Sequence, residues 1–275
     1  MRRRAGRVFF NGLAILIFLV MTFPIYWMVS TALKPGNEIL SLTPVWIPTH
    51  VTFDNFQTAI HVPFFWNDVV NSLIIVGSTV AICIVLAFLA AAAVARFGFR
   101  GRAAFVIMVI AVQMVPLNAL VIPIYLFLDR VGQVDSLVGV IAYYMAVVLP
   151  FMIWTLRGFV ANVPVDLEEA AMIDGASRVG AFMRIVFPLV APGLVATAIF
   201  GFIQAWNEYI IAYVLLSTPS KQTLTIWLAS FTTQHGTDWG GLMAGATLTA
   251  LPVVVLFLLV QRYVQGGLTA GAVKG

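Results

Sequence analysis

Six separate runs of apolar residues, each about 20 residues or longer, dominate the chain and leave it few folds to choose from. A bilayer core takes roughly 20 apolar residues as one helix. The runs cover about 8–32, 69–95, 103–128, 137–156, 189–216 and 241–260. Composition adds one constraint. Apolar residues make up 61% of the chain and charged ones 9%, whereas a soluble domain carries about 25% charged residues. A water-soluble globule has no means of hiding that much apolar surface. The expectation is an all-α membrane protein, a six-helix bundle formed by one domain, 1–275. The single cysteine, Cys83, lies inside a run. It has no disulfide partner and no metal-ligand spacing, and reads as a small packing residue.

Basic residues fix the expected orientation. With the N-terminus in the cytoplasm, Arg2, Arg3, Arg4, Arg7, Arg96, Arg100, Arg102, Arg157, Arg178, Arg184, Arg262 and Lys274 all fall inside, twelve of the fifteen Lys and Arg. Lys34, Arg130 and Lys221 fall outside. The reverse orientation inverts this bias, so both termini are expected in the cytoplasm. The pI of about 9.5 then follows from topology, and nucleic-acid binding is not expected. Arg2–Arg4 looks like the start of a signal peptide, but the apolar stretch behind it outlasts the roughly 7–15 residues of such a segment. It is taken as a retained first span.

The informative loop is 161–188, between the fourth and fifth runs. It reads as two short helices joined by a turn. Asp166 is placed to cap the first helix and Glu169, three residues on, to complete a capping box. Gly175 fits the left-handed position that stops a helix. Ser177 is a natural N-cap for a second helix, with Val179, Phe182, Met183 and Val186 on one side, expected to end at Pro188. On these residues alone the element either caps the bundle or meets another surface.

The order Glu169-Ala170-Ala171, then Gly175, then Ile185 and Pro188 resembles the EAA loop of bacterial ABC importer permeases of the type I kind. Phe187 stands where that family often has Leu. Further pieces resemble its carbohydrate-uptake, maltose-type branch, second permease subunit: Phe23–Met28, Asn71-Ser72, Ala95-Arg96-Phe97, Trp206-Asn207-Glu208 and the tail Gly271-Ala272-Val273-Lys274-Gly275. The resemblance implies a multi-pass protein of the bacterial cytoplasmic membrane that imports a sugar or oligosaccharide. It implies three kinds of partner: a second related permease, two copies of a cytoplasmic ATPase, and an extracytoplasmic solute-binding protein. The 161–188 loop would be a coupling helix–turn–helix, with Glu169, Ala170, Ala171, Asp174, Gly175, Ile185 and Pro188 meeting the ATPase and the tail 271–275 lying near it. This chain has no Gly-x-x-x-x-Gly-Lys-[Ser/Thr] loop to cradle phosphates. It is therefore expected to be non-catalytic and to bind no cofactor, ATP and Mg being used by the ATPase.

Polar residues inside runs usually face a bundle interior or a water-filled path. Glu208 with Gln204 and Asn207 gives a polar stripe at i, i+3, i+4, with Trp206 beside it. Carboxylate, amide and aromatic groups suit a sugar. The same residues equally serve as bonds to another helix. Gln113 and Asn118, near Pro116 and Pro123, are weaker candidates for the same path. His50, His61 and His235 are too scattered for a metal site. A secondary carrier would need its own ion site at broken helices, and a membrane enzyme a clustered catalytic set; neither pattern is visible. Among importers, a non-sugar solute such as a glycerol phosphate is the alternative.

Overall fold

The computed structural model describes residues 2–269, with the side chains of 2–8, 117–118 and 262–269 outside that description. The described elements are helical apart from one two-stranded hairpin. In chain order they are α1 (Arg2–Ala32), α2 (Gly36–Ile39), α3 (Asp54–His61), α4 (Phe65–Arg96), α5 (Arg102–Gln113), α6 (Val121–Arg130) and α7 (Leu137–Ala161). There follow α8 (Val165–Ile173), α9 (Arg178–Ala181), α10 (Phe187–Trp206), α11 (Ile210–Leu215), α12 (Leu224–Ala229), β1 (Thr232–Thr233), β2 (Gly236–Thr237) and α13 (Trp239–Thr269). Five helical stretches are long and apolar enough to cross a membrane: Phe9–Ala32, Phe65–Arg96, Leu137–Ala161, Arg178–Trp206 and Trp239–Gln261.

The third and fifth apolar runs differ from expectation. The third is not one helix. It stops at Gln113, resumes as a 3₁₀ turn at Leu117–Leu120, and continues as α6. Pro116 explains the break: it has no N–H to donate and its ring excludes the carbonyl four residues back. Pro123 is tolerated because it lies in the first turn of α6, where the amide would be unpaired anyway. The fifth span starts earlier than expected and ends at Trp206, ten residues short. The second helix of the 161–188 segment does not end at Pro188. It runs from α9 through a π-turn at Phe182–Val186 directly into α10, with Pro188 in the first turn of α10. The wider turn accommodates the missing proline N–H without breaking the helix.

The chain divides into two compact units, residues 1–66 with 227–251 and residues 67–226 with 252–275. In the first, aromatic rings make the core. Trp27 lies against Trp46 edge-on at 5.6 Å, and Phe65 and Phe231 flank Trp227 at 4.9 and 5.0 Å. Asn55 ties the chain after α1 in place, its amide donating to the carbonyls of Ala32 and Lys34. In the second unit α7 and α10 pack as the central pair. Tyr144, Val148, Met152, Leu156 and Val160 recur every fourth residue on α7 and are all buried. Gly193 and Gly201 of α10 face them, where a methyl group would run into the Phe159 ring and the Val148 and Met152 side chains. Small residues let helices approach closely where lipid supplies no hydrophobic drive. Cys83 is fully buried beside this pair, its thiol 3.9 Å from the Met145 carbonyl.

Candidate functional site

The 161–188 segment folds largely as its local chemistry dictates. Val163 and Pro164 turn the chain, and α8 begins directly behind the proline. The expected capping box is not formed: Pro164 occupies the cap position with no side-chain bond, and Asp166 already lies in the first helical turn. Its charge there still suits the positive end of the helix. At the other end Gly175 takes φ 90°. Its N–H donates to the Met172 carbonyl and that of Ala176 to Ala171, the paired bonds by which a left-handed glycine closes a helix. Ser177 caps α9 as expected, its hydroxyl accepting from the Gly180 amide at 3.1 Å.

What holds this segment to α4 is an ion pair that sequence reasoning missed. Arg96, the last residue of α4, pairs through Nε with Oε1 of Glu168, and both side chains are about nine-tenths buried. The other arm of the guanidinium donates to the Val163 carbonyl at 2.8 Å. The signal was weak but present: Val165, Glu168 and Met172 share one helical face at i, i+3, i+7, and Glu168 is the acid on it. Beneath that face lies a cavity of about 430 Å³ walled by Phe88, Leu89, Met172 and Phe182. Phe88 is 5.5 Å from both Phe182 and Phe187.

Much of the rest of the segment is open, although Glu169 and Val179 also border the cavity. Glu169, Ala170, Asp174, Gly175 and Pro188 are exposed, and Ala171 and Ile185 half-buried. Apolar side chains stand exposed among them, Ile173 at 86% and Val179 at 73%. Apolar groups presented to solvent beside charged ones mark an interaction surface.

The Gln204–Glu208 stripe is reorganised, because α10 ends inside it. Glu208 is not in a helix. Its carboxylate caps α11, Oε1 accepting from Ile211 N at 2.8 Å and Oε2 from Ala212 N at 3.1 Å, and the Tyr144 hydroxyl donates to Oε2 at 2.9 Å. The Thr225 hydroxyl holds the Glu208 carbonyl. Glu208 is thus engaged with the protein itself. Gln204 and Asn207 are exposed and line an open recess with Phe151, Phe200, Ile203 and Glu208 itself. Trp206 faces the other way, buried and stacked on Phe202 at 5.3 Å. Gln113 is not among the recess residues; its amide donates back to Val109 O in its own helix. The Asn118 side chain and all of Gly271–Gly275 lie outside the described residues.

A third polar cluster joins two loops. Asp135 adopts φ 54° and accepts from the amides of Ser217 and Thr218, the Thr218 hydroxyl at 2.6 Å and the Lys221 ammonium at 2.9 Å. The Thr218 hydroxyl and amide, then Lys221, hold its carboxyl well below the usual carboxylate range. Among the described residues no group of three or more His, Cys, Asp or Glu could hold a metal ion.

The chain as a whole resembles known proteins. Residues 83–269 match the family model described as binding-protein-dependent transport system inner membrane component. The chain is 46% identical over 270 residues to the diacetylchitobiose uptake system permease protein DasC of Streptomyces coelicolor, covering 98% of each. It is 37% identical to the trehalose transport system permease protein SugB of Mycobacterium tuberculosis, covering 92% of each. It is 34% identical to the trehalose/maltose transport system permease protein MalG of Thermococcus litoralis, covering 95% of each. Among solved structures it superposes with TM-score 0.78 on a chain of a bacterial ABC transporter that imports the polysaccharide alginate, at 23% identity over 95% of this chain and 98% of that one. This integral membrane chain belongs to the family of binding-protein-dependent transport system inner membrane components, the permeases of ABC importers.

Proposed function

We propose that the chain forms half of the membrane pathway of an ATP-driven importer for a sugar or oligosaccharide, and that its 161–188 segment is where ATP hydrolysis is felt. The observation that carries this reading is the two-sided build of that segment. Glu168 pins it to α4 through Arg96, while Ala170, Ile173, Asp174 and Gly175 stand exposed to a partner and Glu169 is exposed at the rim of the cavity between. Such an element transmits a push from a bound partner to a span. The partner is a cytoplasmic ATPase present in two copies, which binds ATP and Mg while this chain binds neither. A second related permease completes the pathway and an extracytoplasmic binding protein delivers the solute. One structural relative was solved together with an alginate pentasaccharide-bound periplasmic protein. Both termini then face the cytoplasm, and the tail Gly271–Gly275 lies close to the ATPase. Each state of the pathway must be stabilised by different contacts for ATP to drive the exchange between them.

The names of three relatives, for diacetylchitobiose, trehalose and maltose, support a sugar as cargo. Phe151 and Phe200 beside the Gln204 and Asn207 amides offer an apolar ring face and hydrogen-bonding groups, the pairing a sugar needs on a water-filled path. Two measurements test the proposal. Glu169→Ala and Gly175→Asp are expected to abolish co-purification of the ATPase and ATP-driven uptake in proteoliposomes; unchanged assembly and uptake in both would sink the coupling role. The matching binding protein is expected to gain thermal stability with one of the three sugars, since ligand binding stabilises by mass action. Stabilisation by glycerol 3-phosphate alone would replace the sugar with the non-sugar alternative.

A further inference from the structure

A separate cavity in the 1–66 and 227–251 unit carries the marks of a ligand site. It measures about 300 Å³, and Trp27, Thr31, Lys34, Glu38, Ser41 and Trp239 line it. Lys34 is only 2% exposed. Its ammonium sits 4.1 Å above the Trp27 ring, and among the described residues no hydrogen-bond acceptor reaches it. Thr31 is 6% exposed, and its hydroxyl has no hydrogen-bond partner among the described residues. A buried hydroxyl without a partner and an ammonium held only by the Trp27 ring therefore meet at one cavity. Burying a polar group unpaired is costly, and more so for an ammonium. The cost shows as a Lys34 pKa drawn below the ordinary lysine value by desolvation, against the opposing pull of Glu38.

The wall is rigid. Asn55 holds the Lys34 carbonyl at 2.7 Å and the Ala32 carbonyl at 3.0 Å, and the Thr52 amide donates to Leu33 O at 3.0 Å. Glu38 is itself positioned, accepting from the amide and hydroxyl of Thr49. The backbone that carries Thr31 and Lys34 and the Glu38 carboxylate are thus held before any ligand arrives, which lowers the ordering cost of binding.

The chemistry narrows the ligand. Lys34 and Thr31 need oxygen acceptors. Glu38 and Ser41 offer acceptors in return, and the Glu38 carboxylate disfavours an anion. Trp27 and Trp239 provide flat apolar faces. A neutral ring carrying hydroxyls answers all three demands, and about 300 Å³ is the lower end of the range for small-ligand pockets. We propose that this cavity is a saccharide subsite that holds one sugar unit, formed by residues none of which line the Gln204–Glu208 recess. The inference rests on the reading of the chain as a sugar importer subunit.

The test uses the assembled importer in nanodiscs without its binding protein, with diacetylchitobiose, trehalose and maltose as probes. Sugar-dependent change in tryptophan fluorescence gives a half-saturation concentration, and saturation-transfer NMR identifies the bound ring. Lys34→Met removes a charged donor and is expected to raise half-saturation about tenfold or more; Thr31→Val removes a neutral one, for about three- to tenfold. If Lys34→Met fails to assemble, Thr31→Val and Ser41→Ala carry the test. Sugar binding that is unchanged in the variants that assemble overturns the subsite while leaving the importer reading intact. Wild-type importer that takes up none of the three sugars overturns that reading and the subsite with it. Occupancy by phosphatidylglycerol from the nanodisc, with no sugar signal, assigns the cavity to lipid and overturns it as well.

Discussion

Asp135 shows what one residue accomplishes where two loops meet. It sits at φ 54°, a conformation that Asp tolerates better than most residues. From there one carboxylate gathers two amides, a hydroxyl and an ammonium from residues 217–221. Those partners depress its folded-state pKa, the Thr218 hydroxyl most of all. A depressed pKa means stability that is present above the unfolded value of about 3.9 and lost as pH falls through it towards the folded value. Asp135→Asn is therefore expected to lower the melting temperature of the importer at pH 7, by roughly 1 kcal/mol of stability for a partly exposed cluster. The gap between variant and wild type should close as pH drops below about 4. A gap that is constant from pH 7 down to pH 3.5 would show that the charge contributes nothing. None of this was legible in the sequence, where Asp135 is an ordinary loop acid and its partners lie more than 80 residues away. Glu208 was legible as unusual but not in its role. An acid in an apolar run reads equally as a path group or as a bond to another helix; that the helix stops at Trp206 and that Glu208 caps the next one is visible only in the backbone, and Glu208 still borders the recess.

At the scale of elements, the features legible in advance are those decided within a few residues. Gly175 and Ser177 behave as their own stereochemistry requires. Pro116 breaks a run that hydropathy alone counts as continuous, whereas Pro188 does not stop its helix, because a π-turn accommodates it. The joint between α4 and α8 depends on Arg96 finding Glu168 across 72 positions, which no local pattern encodes. Removing one partner of a buried pair leaves the other charge stranded and costs about 3–5 kcal/mol. Replacing both by apolar groups is far milder, and here a largely apolar cavity borders them. Arg96→Met alone is expected to lower thermal stability sharply, and Arg96→Met with Glu168→Met to recover most of it. Uptake separates structure from transmission. If the pair carries the ATPase's motion into α4, the double variant hydrolyses ATP but imports poorly. A double variant with wild-type transport per ATP would leave the pair a purely structural joint.

The whole molecule raises a question of parity. Among the described residues five helices are long enough to cross alone, and five crossings would put the two termini on opposite sides. Both termini in the cytoplasm, as the charge pattern leads one to expect, require an even number. The broken third run resolves this. α5 has 12 residues and α6 has 10, so at 1.5 Å per residue each covers about half of a 30 Å core, and end to end they cross it. At the break the Met114 and Val115 amides tighten onto Ala111 O and Val112 O, and the Pro116 carbonyl accepts from Ala119 N, so the chain satisfies these groups itself where lipid supplies no partner. The first span has 0% of its apolar window buried and the last 11%, so within this chain those faces have little cover. The broken α5–α6 pair is expected to make one crossing. In a Cys83→Ala background, Phe99→Cys and Asp174→Cys are expected to react with a membrane-impermeant maleimide from the same side, and Gln234→Cys from the other. Two crossings, α5–α6 and α7, separate residues 99 and 174 in this arrangement; labelling of those two positions from opposite sides would mean that the broken pair does not cross.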